Sequence, residues 1–474
     1  MSDAVAVHLL DALEHAVRTT VQPEVKSAEA TATAEMSCRL LSWLAALIRT
    51  RSPANEPHAN RLHELLTEAG LGDGRSGKPH SIGSPAQVDV LCQRLLQESP
   101  AQLKTVFERF LEAEEAAVAA HDPGATAGVA ENYKGGRTVR KSADAGEPLV
   151  TAATLTRYLK TRFPEVRDVH ATDVRVLPGG FGKDTILFTI VGMVPCAGPV
   201  VIRKDLPVVP LGVSAVDEFP LLVALFRAGI PVPEPLWAEP DAVPLGSPFI
   251  VVRWMPGTVD VNSWVGDSAA VRRFANELAR VMAQLHRIGP EDLGFPQLAG
   301  LTAAEGTRKV VLDMLALCNR DESLSNSRLE LIFAWLLGRI PSAGGRSARL
   351  VHGDIGFHNL LIQDGRVTAV LDWEYAHFGD PGEDVAYCRP FVESVMPWPE
   401  FLQMYEAHGG VPYTDEQDQF YSVWRNARNA AGCVGGMRSF LAAPVGSIKL
   451  ATAGIIFGPR FELEALRAIL RSKL

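Results

Sequence analysis

The chain has 474 residues, of which 47% are hydrophobic and 21% charged, a globular composition long enough for about two to four domains. Its formal net charge of −9 speaks against a dedicated nucleic-acid binder, which needs a basic face. The six cysteines, Cys38, Cys92, Cys196, Cys318, Cys388 and Cys433, lack C-x-x-C spacing; they read as small buried hydrophobes in a reducing compartment rather than as disulfides or zinc ligands.

Met1-Ser2-Asp3-Ala4 opens the chain without a positive, apolar leader pattern, and no apolar run reaches the roughly 18 residues a membrane span requires. The expectation is a cytoplasmic protein with no membrane span. Residues 1–120 carry helical stripes: Val5 to Leu13, then Met36 to Ile48 with Leu40, Trp43, Leu44 and Leu47 at helical spacing, then Val88 to Leu96 and Leu103 to Ala117. Pro and Gly cluster between them, as loops should. These stripes predict a separate all-α N-terminal domain over 1–120. From His121 to Pro148 the composition shifts to Gly, Ala, Thr and charges without periodicity, so 121–150 is expected to be a linker.

Short strands follow. Val174 to Leu177 leads into Pro178-Gly179-Gly180-Phe181-Gly182-Lys183-Asp184, and Thr185 to Val191 alternates again. Pro199 to Lys204 reads as a third strand, Glu218 to Ala228 as a helix, and Pro248 to Trp254 as a further apolar strand. Helices dominate from Ser268 onward, interrupted by loops and short strands around 349–372, and the tail from Thr414 is again helical in pattern. The predicted fold class is therefore α+β. A small β-rich lobe over 151–254 precedes a larger helical lobe over 255–474.

Within the second lobe lies Val351-His352-Gly353-Asp354-Ile355-Gly356-Phe357-His358-Asn359. Thirteen residues after Asn359 comes Asp372, in Val370-Leu371-Asp372-Trp373-Glu374. An aspartate, an asparagine five residues on and a second aspartate closing an apolar run supply one general base and two oxygen ligands. The base is Asp354; Asn359 and Asp372 are suited to a magnesium ion carrying a nucleotide triphosphate. The histidines are read differently, His352 as a backbone-bonding residue and His358 as structural or as acceptor wall. The turn Gly180-Phe181-Gly182 lies between two strands, which excludes a Rossmann reading and lets backbone N–H groups cover phosphates. Arg203 or Lys204 can supply a phosphate-binding cation, but adjacent strand residues point to opposite faces, so only one of them does. Glu218 is its natural ion-pair partner.

The H-x-D-x4-N…D arrangement is that of eukaryotic-type kinases. More closely, residues 151–474 resemble the aminoglycoside phosphotransferase/choline kinase-like superfamily. The carrying segments are Leu177-Pro178-Gly179-Gly180, Val200 to Lys204, Glu218, Ile250 to Gly257, Gln284-Leu285-His286, the Asp354 loop, Leu371 to Glu374, and Gly379 to Ala386. The resemblance implies a bilobal protein-kinase-like fold with ATP or GTP as donor. It sets the base ring against the backbone of residues 250–254, so Val251 and Arg253 join Gly180, Phe181, Gly182, Arg203 and Glu218 as nucleotide-binding candidates. It also implies Asp354 as catalytic base, Asn359 and Asp372 as Mg2+ ligands, and Asp384 as a buried residue bracing the catalytic loop. Only eleven residues separate Asp372 from Asp384, and D-F-G and A-P-E are missing. That argues against a protein kinase with an activation segment and for a small-molecule acceptor.

Aminoglycosides are polycations and want an acidic pocket, yet residues 255–474 hold 25 acidic against 21 basic side chains. Leu371 to His377 and Gly379-Asp380-Pro381 also resemble the kinase domains associated with acyl-CoA dehydrogenases, which act on hydroxyacyl thioesters. The first expectation is a kinase for a hydroxylated metabolite, and the second an antibiotic O-phosphotransferase. A third reading, of another class, is a nucleotide-binding interaction module. In it the N-terminal helices mediate a homodimer or contact a protein partner.

Overall fold

The computed structural model describes Ser37 and residues 150–177, 182–259, 267–320, 327–442 and 448–472. Apart from Ser37 and Val150, the helical domain expected over 1–120 and the linker over 121–150 lie outside the described residues, as do Gly180 and Phe181. The described chain forms two compact units: residues 150–310 with 341–418, and residues 311–340 with 419–472.

The first unit opens with α1 (Ala152–Arg162), started by a capping box between Thr151 and Thr154. Five antiparallel strands follow: β1 (His170–Leu177), β2 (Lys183–Val191), β3 (Gly198–Asp205), β4 (Pro235–Glu239) and β5 (Phe249–Arg253). Their order in the sheet is β1-β2-β3-β5-β4. Between β3 and β4 runs α2 (Ala215–Arg227), capped by Ser214 with Asp217 at the third helical position. Asp205, at the end of β3, accepts from Ser214 Oγ at 2.5 Å and from the Ala215 N–H at 2.8 Å. This buried carboxylate ties the first turn of α2 to the sheet, where a negative charge is favoured.

Side-chain alternation divides the sheet into two faces. Ile186, Phe188 and Ile190 of β2, Val200 and Ile202 of β3, and Phe249 and Val251 of β5 pack with Leu155, Tyr158 and Leu159 of α1. On the opposite face, Ile250 and Val252 of β5 join Leu222 and Leu225 of α2 in a second core. Each such buried side chain contributes roughly 1.5–3 kcal/mol.

That second core continues into the helical part of the same unit. There α3 (Ser268–Leu285) buries Phe274, Leu278 and Met282 along one stripe. After the N-terminal part of α4 (Ala303–Cys318), the chain re-enters this unit through β6 (Arg349–Val351). A 3-10 turn over Phe357–Asn359 precedes the hairpin β7 (Leu360–Gln363) and β8 (Arg366–Val370). Then β9 (His377–Gly379) returns to pair with β6. An antiparallel sheet followed by a helical part is the α+β arrangement expected from the sequence.

The second unit includes α5 (Ser327–Leu337) and, after α6 (Gly382–Glu393) and α7 (Trp398–Ala407) of the first unit, most of α8 (Asp415–Ala442). Phe333 of α5 meets Trp424 of α8 edge-on, with ring centroids 6.3 Å apart. Residues 255–474, read as one lobe from sequence, are thus shared between two compact units. Among the described residues no helix is long and apolar enough to cross a membrane.

Candidate active site

The Asp354 loop is built between β6 and the 3-10 turn, and its backbone is fixed by one buried carboxylate. Asp384, in the first turn of α6, accepts the N–H groups of His352 and Gly353, each at 2.8 Å. His286, just past α3, donates from Nε2 to the same carboxylate at 3.0 Å, while its Nδ1 accepts from the Tyr405 hydroxyl at 2.8 Å. Burial alone would raise the Asp384 pKa; the hydrogen bond from His286, with the His352 N–H, outweighs it and holds this carboxyl below its ordinary range.

His352 continues the scaffold. Its Nδ1 accepts the Asp354 N–H at 3.1 Å and its Nε2 donates to the Leu371 carbonyl at 2.9 Å, a pairing that assigns the proton to Nε2. Burial pushes its pKa down, so it stays a neutral link from the Asp354 loop to the segment carrying Asp372. Its ring meets Trp373 edge-on at 4.6 Å.

Asn359 donates from Nδ2 to the Asp354 carbonyl at 2.9 Å and to Asp354 Oδ2 at 2.7 Å. Both partners are acceptors, so the amide orientation is determined, with Nδ2 toward Asp354. His358 Nε2 lies 3.5 Å from Asp354 Oδ2, with its ring tilted against Phe391. A Cβ on Gly356 would sit 2.4 Å from His358 Cε1, so glycine is what lets this imidazole fold back over the loop.

Asp372 stands just beyond β8 in a left-handed conformation, φ 68°, which aspartate tolerates better than most residues. Its Oδ1 accepts from Arg203 Nη2 at 2.6 Å. Against burial, the Arg203 charge and hydrogen bond hold the Asp372 carboxyl below its usual range.

Strand register decides between Arg203 and Lys204. Thr185 pairs with Arg203 and Asp184 with Lys204. Asp184 shares its face with Ile186 and Phe188, and there Lys204 Nζ meets Asp184 Oδ2 at 3.0 Å. Arg203 emerges on the other face, toward Asp372.

Glu218 is paired differently from the sequence expectation. Its close ion pair is with Lys183 Nζ at 2.5 Å, and the same ammonium donates to Glu374 Oε2 at 2.8 Å. The reason is that β2 begins at Lys183, two residues earlier than the alternation suggested, which sets Lys183 on the Thr185 and Arg203 face. Gly182 belongs to this arrangement, since a Cβ there would come within 2.9 Å of Glu374 Oε2. Burial, followed by the neighbouring Asp372 charge, pushes the Glu374 carboxyl up to about 7. Lys183 and Glu374 are the site residues that motif reading passed over.

Val251 and Arg253 are not brought to this cluster. β5 runs between β3 and β4, so ladders claim its backbone on both sides. Val251 is buried in the α1-side core, and Arg253 Nε donates to Glu234 at 3.2 Å. Trp254 still donates its N–H to the Pro199 carbonyl of β3 at 3.2 Å.

The donor set suits a hard divalent cation carried on phosphates. Asp372 and the Asn359 amide offer oxygen ligands, and magnesium needs only one or two from protein. Among the described residues no cluster of three or more His, Cys, Asp or Glu side chains forms a dedicated metal cage. Arg203 Nε is buried without a hydrogen-bond partner, a donor that phosphate oxygens would satisfy.

Residues 173–421 match the model of the phosphotransferase enzyme family, more than half of the chain. The chain belongs to that family. Acyl-CoA dehydrogenase family member 11 of Gallus gallus is 30% identical over 202 residues, 42% of this chain and 25% of that protein. The Rattus norvegicus and Homo sapiens counterparts are covered to 29% of their length, so the chain spans little more than a quarter of these relatives. Hygromycin-B 4-O-kinase of Escherichia coli is 48% identical over 46 residues, 9% of this chain and 14% of the kinase. Among solved structures, macrolide 2'-phosphotransferase MphH from Brachybacterium faecium aligns with a TM-score of 0.42 at 22% identity, covering 64% of this chain and 97% of that one.

Proposed function

We propose that this family member transfers the γ-phosphate of ATP or GTP to a hydroxyl of a small molecule, with a hydroxyacyl compound as the acceptor. The observation that carries the reading is the contact set around one loop: Asn359 Nδ2 on Asp354 Oδ2 at 2.7 Å and Arg203 on Asp372 at 2.6 Å. Asp354 is the base. Its carboxylate orients the acceptor hydroxyl and takes its proton as the new P–O bond forms. Asn359 pins that carboxylate, and the Asp384 bonds to His352 and Gly353 keep the loop from yielding. Arg203 and Lys183 neutralise phosphate charge from the sheet side, Lys183 being anchored by Glu218 and Glu374. Gly182, beside β2, is the described residue of the glycine turn proposed to cover the phosphates; Gly180 and Phe181 lie outside the described residues. A divalent cation held by Asp372 and the Asn359 amide oxygen would draw off negative charge from the transferring group.

The likeness to acyl-CoA dehydrogenase family member 11 supports an acyl-bearing acceptor. So does the near balance of acidic and basic residues over 255–474, which favours no polycation. An antibiotic acceptor is the second reading, favoured by the 46-residue match to hygromycin-B 4-O-kinase. The test is transfer of labelled γ-phosphate, with magnesium and either nucleotide, across hydroxyacyl thioesters, aminoglycosides, macrolides and choline-like alcohols. Phosphorylated hydroxyacyl product supports the first reading. Product only from antibiotics moves the assignment to the second, and bare nucleotide hydrolysis with every acceptor counts against both.

A further inference from the structure

Arg203 and Asp372 hold each other in a way that neither residue's assigned role requires. Nη2 of Arg203 donates to Asp372 Oδ1 at 2.6 Å, and among the described residues it is the only hydrogen-bond donor to that carboxylate. The two side chains retain 19% and 29% of their exposure, so the pair is partly open to solvent. The other carboxylates nearby are taken. Lys183 holds Glu218 at 2.5 Å and Glu374 at 2.8 Å, and Asp372 is the only carboxylate at ion-pair distance from Arg203 among the described residues. The guanidinium Nε is already buried and unpartnered. If Arg203 lost Asp372, it would keep a buried positive charge with no ion pair of its own, a costly state.

We propose that Arg203 is a resident counter-cation for Asp372. It neutralises the carboxylate that a divalent metal would otherwise claim, and it lets go only when nucleotide phosphates arrive to receive its guanidinium. The inference rests on the reading of Asp372 as a metal ligand and adds the order of events to it. Metal alone must evict Arg203 without compensation. Metal with nucleotide replaces one ion pair by another, because Arg203 exchanges a carboxylate for phosphate oxygens that its fork geometry suits at least as well. Metal and nucleotide therefore bind with positive coupling, and by linkage each raises the affinity of the other by the same factor.

The experiment measures Mn2+ binding to the full chain by calorimetry or electron paramagnetic resonance, with and without a non-hydrolysable ATP analogue. It compares wild type, Arg203→Gln, Arg203→Lys and Asp372→Asn. The wild type is expected to bind Mn2+ weakly alone and about 5–150-fold more tightly with the analogue. Arg203→Gln removes the competitor, so Mn2+ alone should bind at least about tenfold more tightly than to wild type, with the coupling reduced accordingly. Arg203→Lys keeps a cation and should keep free Mn2+ affinity low. The inference is overturned if Arg203→Gln binds free Mn2+ no better than wild type while Asp372→Asn still abolishes Mn2+–nucleotide binding; the metal role of Asp372 then stands without it. If Asp372→Asn leaves Mn2+–nucleotide binding unchanged, the metal role fails and the inference falls with it. Should Arg203→Gln not fold, the wild type decides, since equal Mn2+ affinity with and without the analogue contradicts the coupling.

Discussion

Lys183 of β2 sits 2.5 Å from Glu218 of α2, with both side chains almost wholly buried at 2% and 3% exposure. Glu374 closes on the same ammonium from the segment after β8. Burial works against the charge on Lys183, and the two carboxylates, Glu374 foremost, more than offset it, so its pKa is raised. Removing one member of a buried ion pair leaves an uncompensated charge and costs about 3–5 kcal/mol, whereas removing both costs far less. Lys183→Met should therefore destabilise the protein more than Lys183→Met combined with Glu218→Gln. Denaturant unfolding of the wild type, both single variants and the double variant measures the coupling. Additive effects would remove this pair from the account of the nucleotide face.

The Asp384 carboxylate joins three elements: the Asp354 loop, His286 after α3, and its own helix α6. Asp384→Ala strands two buried backbone N–H groups and a histidine. Each unsatisfied group costs about 1–3 kcal/mol, so the melting temperature should fall by many degrees and turnover with it. Asp384→Asn keeps one acceptor oxygen and should fall between the two. An alanine variant that melts with the wild type would show that the loop is held by something else.

The pH dependence of stability has a definite sign at Glu374. Its folded pKa is raised from 4.5 to about 7 by burial and by Asp372. A carboxyl whose pKa rises on folding contributes stability that is fully present below its unfolded pKa and is lost as pH climbs through the folded value. Between about pH 5 and 8 the nucleotide-free wild type should lose stability relative to Glu374→Gln, in which this titration is absent. Thermal melts of both proteins across that range test it; parallel curves would mean that Glu374 ionises as an ordinary carboxyl.

Much of this site was legible from residue order, and what escaped did so for physical reasons. The spacing of Asp354, Asn359 and Asp372 is local chemistry, and the structure draws two of the three into direct contact. The role of Asp384 as a brace, implied by resemblance, corresponds to two hydrogen bonds to the loop backbone. The Arg203 or Lys204 choice could not be made from one strand, because alternation gives two faces without saying which is inward; it took the pairing of Thr185 with Arg203. Lys183 escaped because β2 was started at Thr185, and a lysine beside a glycine turn looks like a solvated charge. Among the elements that went unnamed are α1 and β4. The first carries three threonines, two arginines and a lysine among its eleven residues, and the second is five residues long and begins with proline. Both are stabilised by tertiary packing more than by pattern, as the bond from Trp237 Nε1 of β4 to the Tyr158 hydroxyl of α1 at 2.9 Å illustrates.

The central claim is that Asp354 is the base of a phosphoryl transfer, and single-turnover transfer of labelled γ-phosphate to the acceptor tests it most directly. Asp354→Ala is compared with wild type, and nucleotide binding is measured on the same samples. The variant should bind nucleotide within a few-fold of wild type and transfer at least about 10²-fold more slowly, the scale of a lost general base. Transfer at the wild-type rate by a folded Asp354→Ala protein would contradict the account.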